Sequence, residues 1–253
     1  MNANDSIKRY SRQIILKEVG GQGQKLLMKS KVLIIGLGGL GSPVLQYLAA
    51  SGVGTIGLAD NDKVDLSNLH RQIIFSLKDI GSYKVSKAKK FISAVNSDIN
   101  VIPYKQKVDL LNVDKIISKY DIIVDCTDNH SSKLIINDAC YRRKKTLVYA
   151  SVSGFFGQVS TFKSFKIDGT GIPYPSYRCL KINQNNEDDC EHLGVLGPIA
   201  GVLGSIQATE VIKQILDEKE NLLGQLLIFD GLSYRMKLIK INWDQNNPLN
   251  GKS

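Results

Sequence analysis

VLIIGLGGLG, residues Val32 to Gly41, sets an apolar run against a glycine-rich turn, and ADNDKVDLSNLHRQ, Ala59 to Gln72, follows after a second apolar run. The first stretch reads as strand, loop and helix start, because aliphatic residues give way to Gly36-x-Gly38-x-x-Gly41 where the backbone must turn tightly. Outward from it, runs at Lys31 to Gly36, Thr55 to Asp60, Ile99 to Pro103, Asp121 to Cys126 and Thr146 to Ala150 predict strands. Helical spacing falls between them, around residues 40–51, 83–96, 111–119 and 131–144. That alternation predicts an α/β fold with a Rossmann-like, doubly wound, mostly parallel sheet. Past Ala150 the period changes: Gln158 to Lys166, Gln225 to Asp230 and Tyr234 to Ile241 read as antiparallel strands extending the sheet, with a helix near Pro198 to Leu216.

Residues 1–253 read as one continuous unit carrying a polar crossover loop at about 167–192. The chain is 43% hydrophobic and 23% charged, enough to bury a full core. The uncharged run Val32 to Ala59 is long enough to suggest a membrane span, but its glycines and Pro43 divide it into strand, loop, helix and strand. The polar opening MNANDSIKRYSRQ has no apolar signal region, so a cytoplasmic location is expected. The net charge of +9 reads as a lysine-rich surface; nucleic-acid binding is not expected, since no arginine-aromatic motif accompanies it. Four cysteines, Cys126, Cys140, Cys179 and Cys190, show no CxxC spacing and imply no disulfide framework.

In doubly wound sheets ligands sit beyond the carboxyl ends of the strands, where Gly36, Asp60 and Asp125 to Asn129 fall. Gly36, Gly38 and Gly41 suit a phosphate facing backbone amides and a helix N-terminus. Asp60, at the end of the next strand, suits ribose hydroxyls. These features fit NAD, FAD and ATP equally. Asn68 and Arg71 then supply an amide and a cation, and Lys84 a second cation. Cleaving an α–β phosphate bond builds charge that such cations stabilise, whereas hydride transfer needs no permanent cation there. Asp128 offers a hard oxygen for Mg²⁺, while the plain alternative for Asp128 and Asn129 is helix capping.

RYSRQIIL (Arg9 to Leu16), VLIIGLGGLG, Asp60 to Gln72, the Lys84 helix, DCTDN (Asp125 to Asn129), YRCL (Tyr177 to Leu180) and GVLGPIAGVLGSIQATEVIK (Gly194 to Lys213) together resemble the bacterial E1-like enzymes ThiF, MoeB and HesA. SGFFGQ and FDGLSYR resemble the ThiF branch more. The resemblance implies ATP- and Mg²⁺-dependent adenylation of the C-terminal glycine of a small ubiquitin-like sulfur-carrier protein ending in Gly-Gly. It also implies a later thiocarboxylate, with sulfur from a cysteine desulfurase or sulfurtransferase, for thiamine or molybdopterin synthesis. Carried over by position, Gly39, Asp60, Ser67, Asn68, Leu69, His70, Arg71, Lys84, Asp128 and Asn129 hold ATP or its metal. Arg12 matches an arginine that reaches the neighbouring subunit's site, so a homodimer is expected.

Cys190 stands where such enzymes carry a cysteine that links to the activated carrier, although Glu187, Asp188, Asp189 and Glu191 disfavour its thiolate. The family's structural zinc uses two CxxC pairs. Here the first reads Ser176-Tyr177-Arg178-Cys179 and the tail has no cysteine, so no zinc is expected. Cys126 and Cys140 read as small core residues. Two other functions stay open: E1-like adenylation of a small molecule or tRNA, and an NAD-dependent oxidoreductase.

Overall fold

A computed structural model of the chain describes residues 3–181 and 194–252. Its eight-stranded sheet has the order β3-β2-β1-β4-β5-β6-β7-β8. β1 (Lys31–Ile35), β2 (Thr55–Ala59), β3 (Asn100–Tyr104), β4 (Ile122–Asp125) and β5 (Thr146–Ser153) pair in parallel. β6 (Phe156–Phe162), β7 (Gln225–Asp230) and β8 (Arg235–Lys240) continue the sheet antiparallel. The predicted α/β architecture is therefore observed.

Strand alternation sorts the two cores. Val32 and Ile34 of β1 face one side, with α3 (Gly41–Ala50), α4 (Lys84–Val95) and α7 (Gly197–Leu216). Leu33 and Ile35 face the other, with α5 (Val113–Ile117) and α6 (His130–Arg142). All four β1 side chains are fully or almost fully buried, each contributing about 2 kcal/mol by transfer from water. Strands covered on both faces need not alternate apolar with polar, which is why β1 reads as a continuous apolar run.

Some boundaries differ from expectation. β6 begins at Phe156, not Gln158, and ends at Phe162, pairing in a hairpin with a β5 that runs on to Ser153. The helix expected over 111–119 is only Val113–Ile117. Two helices precede β1, α1 (Ala3–Ile14) and α2 (Gly20–Lys29), the latter opening in a glycine-rich stretch. Packing fixes α2. A Cβ at Gly23 would come within 2.7 Å of Leu216 Cδ2, and Leu27 is fully buried. Among the described residues no helix is long and apolar enough to cross a membrane.

Candidate functional site

The order of the sheet reverses between β1 and β4, and a cavity of about 620 Å³ opens there beyond the strand ends. Its floor is the glycine turn. Gly36 takes φ +90°, and a Cβ on it would stand 2.7 Å from Cys126 O, so the turn excludes any side chain there. At Gly41 a Cβ would strike Gly36 O. The two glycines bring the N-terminus of α3 against the strand ends, where its amides and dipole suit an anion. At Gly39 a Cβ would reach Ala200 Cβ at 3.1 Å and the Arg71 stem at 3.4 Å, so this glycine sits where the turn, α7 and the arginine converge.

Asp60 is half-buried at the end of β2. Its Oδ2 accepts from Leu37 N–H at 2.7 Å and its Oδ1 from Asp62 N–H at 2.8 Å, which ties the aspartate to the glycine turn. Burial pushes its pKa above the usual carboxylate range, against the lowering pull of Leu37 N–H, Lys84 and Asp62 N–H. Lys84, buried at the start of α4, places Nζ 2.9 Å from Asp62 Oδ2. Asp62 is exposed, so this is a pair with one open face.

The loop after β2 is organised by Asp65. It caps the 3₁₀ turn Leu66–Asn68, accepting from Ser67 N–H, while Asn68 Oδ1 accepts from Asp65 N–H. Ser67 Oγ also donates to Asp65, at 2.7 Å. Ser67 and Asn68 are thus engaged in building the turn. Arg71 Nη1 donates to Ser67 O at 3.0 Å and lies 2.7 Å from His70 Nε2, which leaves the guanidinium on the cavity wall.

On the opposite wall, β4 ends in Asp125. Its Oδ1 accepts from Thr127 N–H at 2.9 Å and Thr127 Oγ1 at 2.6 Å, and its Oδ2 pairs with Lys133 Nζ at 3.3 Å. Lys133 also donates to Ala150 O at 2.9 Å and lies over the Tyr149 ring. Gln207 of α7 donates to Asp125 O and Val148 O. This buried polar cluster fixes the loop that carries Asp128 and Asn129. Asn129 caps α6, its Oδ1 accepting from Ser132 N–H at 2.9 Å. Asp128 is exposed, and its only side-chain hydrogen bond among the described residues is from Asn129 Nδ2 at 3.3 Å. Capping therefore accounts for Asn129 and not for Asp128. One carboxylate facing a phosphate site suits Mg²⁺, which takes one or two carboxylates with phosphate and water as its other ligands.

Of the residues singled out from sequence, Gly36, Gly38, Gly39, Asp60, Asn68, His70, Arg71, Lys84, Asp128 and Asn129 line the cavity. Gly41, Ser67 and Leu69 do not; Gly41 closes the turn, Ser67 bonds Asp65, and Leu69 packs on the core. Arg12 is exposed on α1 and does not line the cavity of its own chain. Cys190 lies outside the described residues. Gln72, Ser151, Val195 and Ala200 also line the cavity, although none of them is an expected site residue. Gln72 lies in the Asp60 to Gln72 block and Val195 and Ala200 in the Gly194 to Lys213 motif, whereas Ser151 lies outside every such motif.

Cys126 and Cys140 are buried, and burial pushes both thiols well above their usual range, as suits core residues. Near the chain end Asn247 Nδ2 donates to Ser176 Oγ at 2.8 Å and Cys179 Sγ at 3.2 Å. One thiol, one hydroxyl and one carboxamide do not fit a tetrahedral thiolate zinc site. Here the tail is held to the Tyr177–Leu180 turn by hydrogen bonds through a buried asparagine.

Comparison with known proteins agrees with this architecture. The chain is 43% identical over 233 residues to a probable molybdopterin-synthase adenylyltransferase of Porphyra purpurea, a match covering 92% of the chain and 60% of that relative. It is 38% identical over 249 residues to a SAMP-activating enzyme E1 of Haloferax volcanii, covering 97% and 89%. Among solved structures, Escherichia coli MccB with ATP superposes with a TM-score of 0.80 at 25% identity, covering 95% of the chain and 74% of that protein. The ThiF family matches residues 10–249. The chain belongs to the ThiF family of E1-like proteins.

Proposed function

We propose that the chain is an adenylyltransferase that uses ATP and Mg²⁺ to activate the C-terminal glycine of a small ubiquitin-like sulfur-carrier protein ending in Gly-Gly. The observation that carries this reading is the convergence of a phosphate turn, a ribose-type carboxylate, two cations and an open carboxylate on one cavity. Asp60 takes the ribose hydroxyls. The α3 N-terminus, Arg71 and Lys84 hold the phosphates, and Asp128 is the residue that holds Mg²⁺, which when bound neutralises phosphate charge. A carboxylate oxygen of the carrier attacks the α-phosphorus, and pyrophosphate leaves with the bond pair. Arg71 and Lys84 stabilise charge that builds during this exchange, a use that hydride transfer would not give them.

Arg12, exposed on α1, completes the neighbouring site in a homodimer. Leu69 and Ser67 act indirectly, by setting the turn that aims Arg71. The whole chain works as one adenylation unit in the cytoplasm, and Cys190 receives or relays the activated carrier. A sulfurtransferase or cysteine desulfurase then supplies sulfur. The relatives' names favour molybdopterin-type carriers over the thiamine pathway.

Carrier-dependent ATP–pyrophosphate exchange tests this, using candidate small proteins ending in Gly-Gly. Exchange with one of them supports the reading, and Arg71→Ala or Asp128→Ala then abolishes it. Nicotinamide dinucleotide binding without carrier-dependent exchange would replace it with an oxidoreductase.

A further inference from the structure

Given the ATP reading of the cavity, on which this inference rests, we infer that Gln72 is a substrate-facing residue. Its side-chain nitrogen donates to an oxygen of the phosphate seated at the Gly38–Gly39 turn, the phosphate at which transfer takes place.

Gln72 is only 2% exposed, yet it lines the cavity. Its backbone is committed to the loop, with Gln72 N–H donating to Asn68 O and Gln72 O accepting from Phe75 N–H. Its carboxamide is not. Nε2 lies 3.9 Å from where a Cβ on Gly38 would stand, across the open floor of the phosphate turn. Among the described residues Oε1 is buried with no hydrogen-bond partner, and no hydrogen bond of Nε2 is found.

Other buried side-chain amides are fully engaged. Gln207 uses Nε2 twice and accepts from Cys126 through Oε1, and Gln24 both donates to Ser51 O and accepts from Gln13. Of the other buried oxygens without a hydrogen bond, Glu210 Oε2 meets Lys213 Nζ at 3.0 Å, and Gln214 Oε1 belongs to a side chain whose nitrogen is bonded to Glu210. Gln72 alone of these holds a whole carboxamide idle at the cavity. Buried amides are normally paired, so an idle one beside an anion cradle points to a ligand that supplies the partner.

Phosphoryl oxygens only accept, so Nε2 is the atom that faces them. In the step itself a carboxylate oxygen bonds to the α-phosphorus, the bond from that phosphorus to the bridging oxygen breaks, and the electron pair departs on pyrophosphate. No proton moves. A neutral, directed donor on a non-bridging oxygen stabilises charge redistributed during the exchange without holding the adenylate product as a further cation would.

Gln72→Leu and Gln72→Met, compared with the wild-type chain, test this through carrier-dependent pyrophosphate exchange and thermal melting of the ligand-free protein. Each variant is expected to lose about 100-fold in kcat, with the KM for ATP changed less than about threefold. Melting temperature should hold or rise, because an unpartnered buried amide has been removed. Near-wild-type kcat in a folded variant overturns the inference and leaves the ATP reading intact. So does a fall in kcat matched by a lower melting temperature in both variants, the signature of a structural role. A wild-type chain without exchange on any Gly-Gly carrier overturns both.

Discussion

Lys133→Met should destabilise the protein far more than its distance from any substrate suggests. Lys133 and Asp125 are both almost fully buried, with side chains 5% and 1% exposed, and they meet at 3.3 Å. Methionine keeps most of the aliphatic stem, so little packing volume is lost. What remains is a buried carboxylate whose only other side-chain donor among the described residues is Thr127. Removing one partner of such a pair costs about 3–5 kcal/mol, and the two surviving Thr127 bonds favour the lower end, about 3 kcal/mol. For a chain of this length that corresponds to a fall in melting temperature of roughly 6–12 °C. Urea denaturation at unchanged m-value measures the difference, and Asp125→Asn combined with Lys133→Met should recover more than half of it, since the uncompensated charge is gone. A loss below about 1 kcal/mol, or a double variant as unstable as the single one, would refute this account of the cluster under Asp128.

Asn247→Ala removes hydrogen bonds to Ser176 and Cys179 and should lower stability by about 2 kcal/mol, read as a shift in the denaturation midpoint. A metal chelator should leave the wild-type melting temperature unchanged. The pH response of Asp60 has opposite signs for stability and binding. Its folded pKa is raised, so its contribution favours the folded protein at low pH and is lost as pH rises through that value. ATP affinity, which needs the carboxylate, should instead fall as pH drops through it, and calorimetry on Asp60→Asn should show weaker binding without that acid limb. Mixing separately inactive Arg12→Ala and Arg71→Ala chains should restore part of the exchange activity through subunits that share sites; no recovery after subunit exchange would remove Arg12 from the neighbour's site.

The parts of this protein legible in its sequence are those set by neighbours along the chain. The Gly36 to Gly41 turn, Asp60 one strand later and the capping residue Asn129 each follow from local backbone demands. Three kinds of feature were not legible. Helix α2 is glycine-rich and held by contact with Leu216, from the far end of α7. Asn247 meets Ser176 and Cys179 from about 70 residues away. The state of Gln72 depends on how the loop folds back over Gly38, so the same residue on a freely solvated turn would carry no meaning.

In the proposed reaction the carrier attacks the α-phosphorus of ATP. Incubating the chain with a Gly-Gly carrier and ATP labelled in either its α- or its γ-phosphate, then isolating the carrier under conditions that preserve acyl-phosphates, reads this directly. Adenylation puts label on the carrier from the α-position alone, and none in Arg71→Ala. Label from the γ-position, or none from either with a carrier that binds, would contradict it.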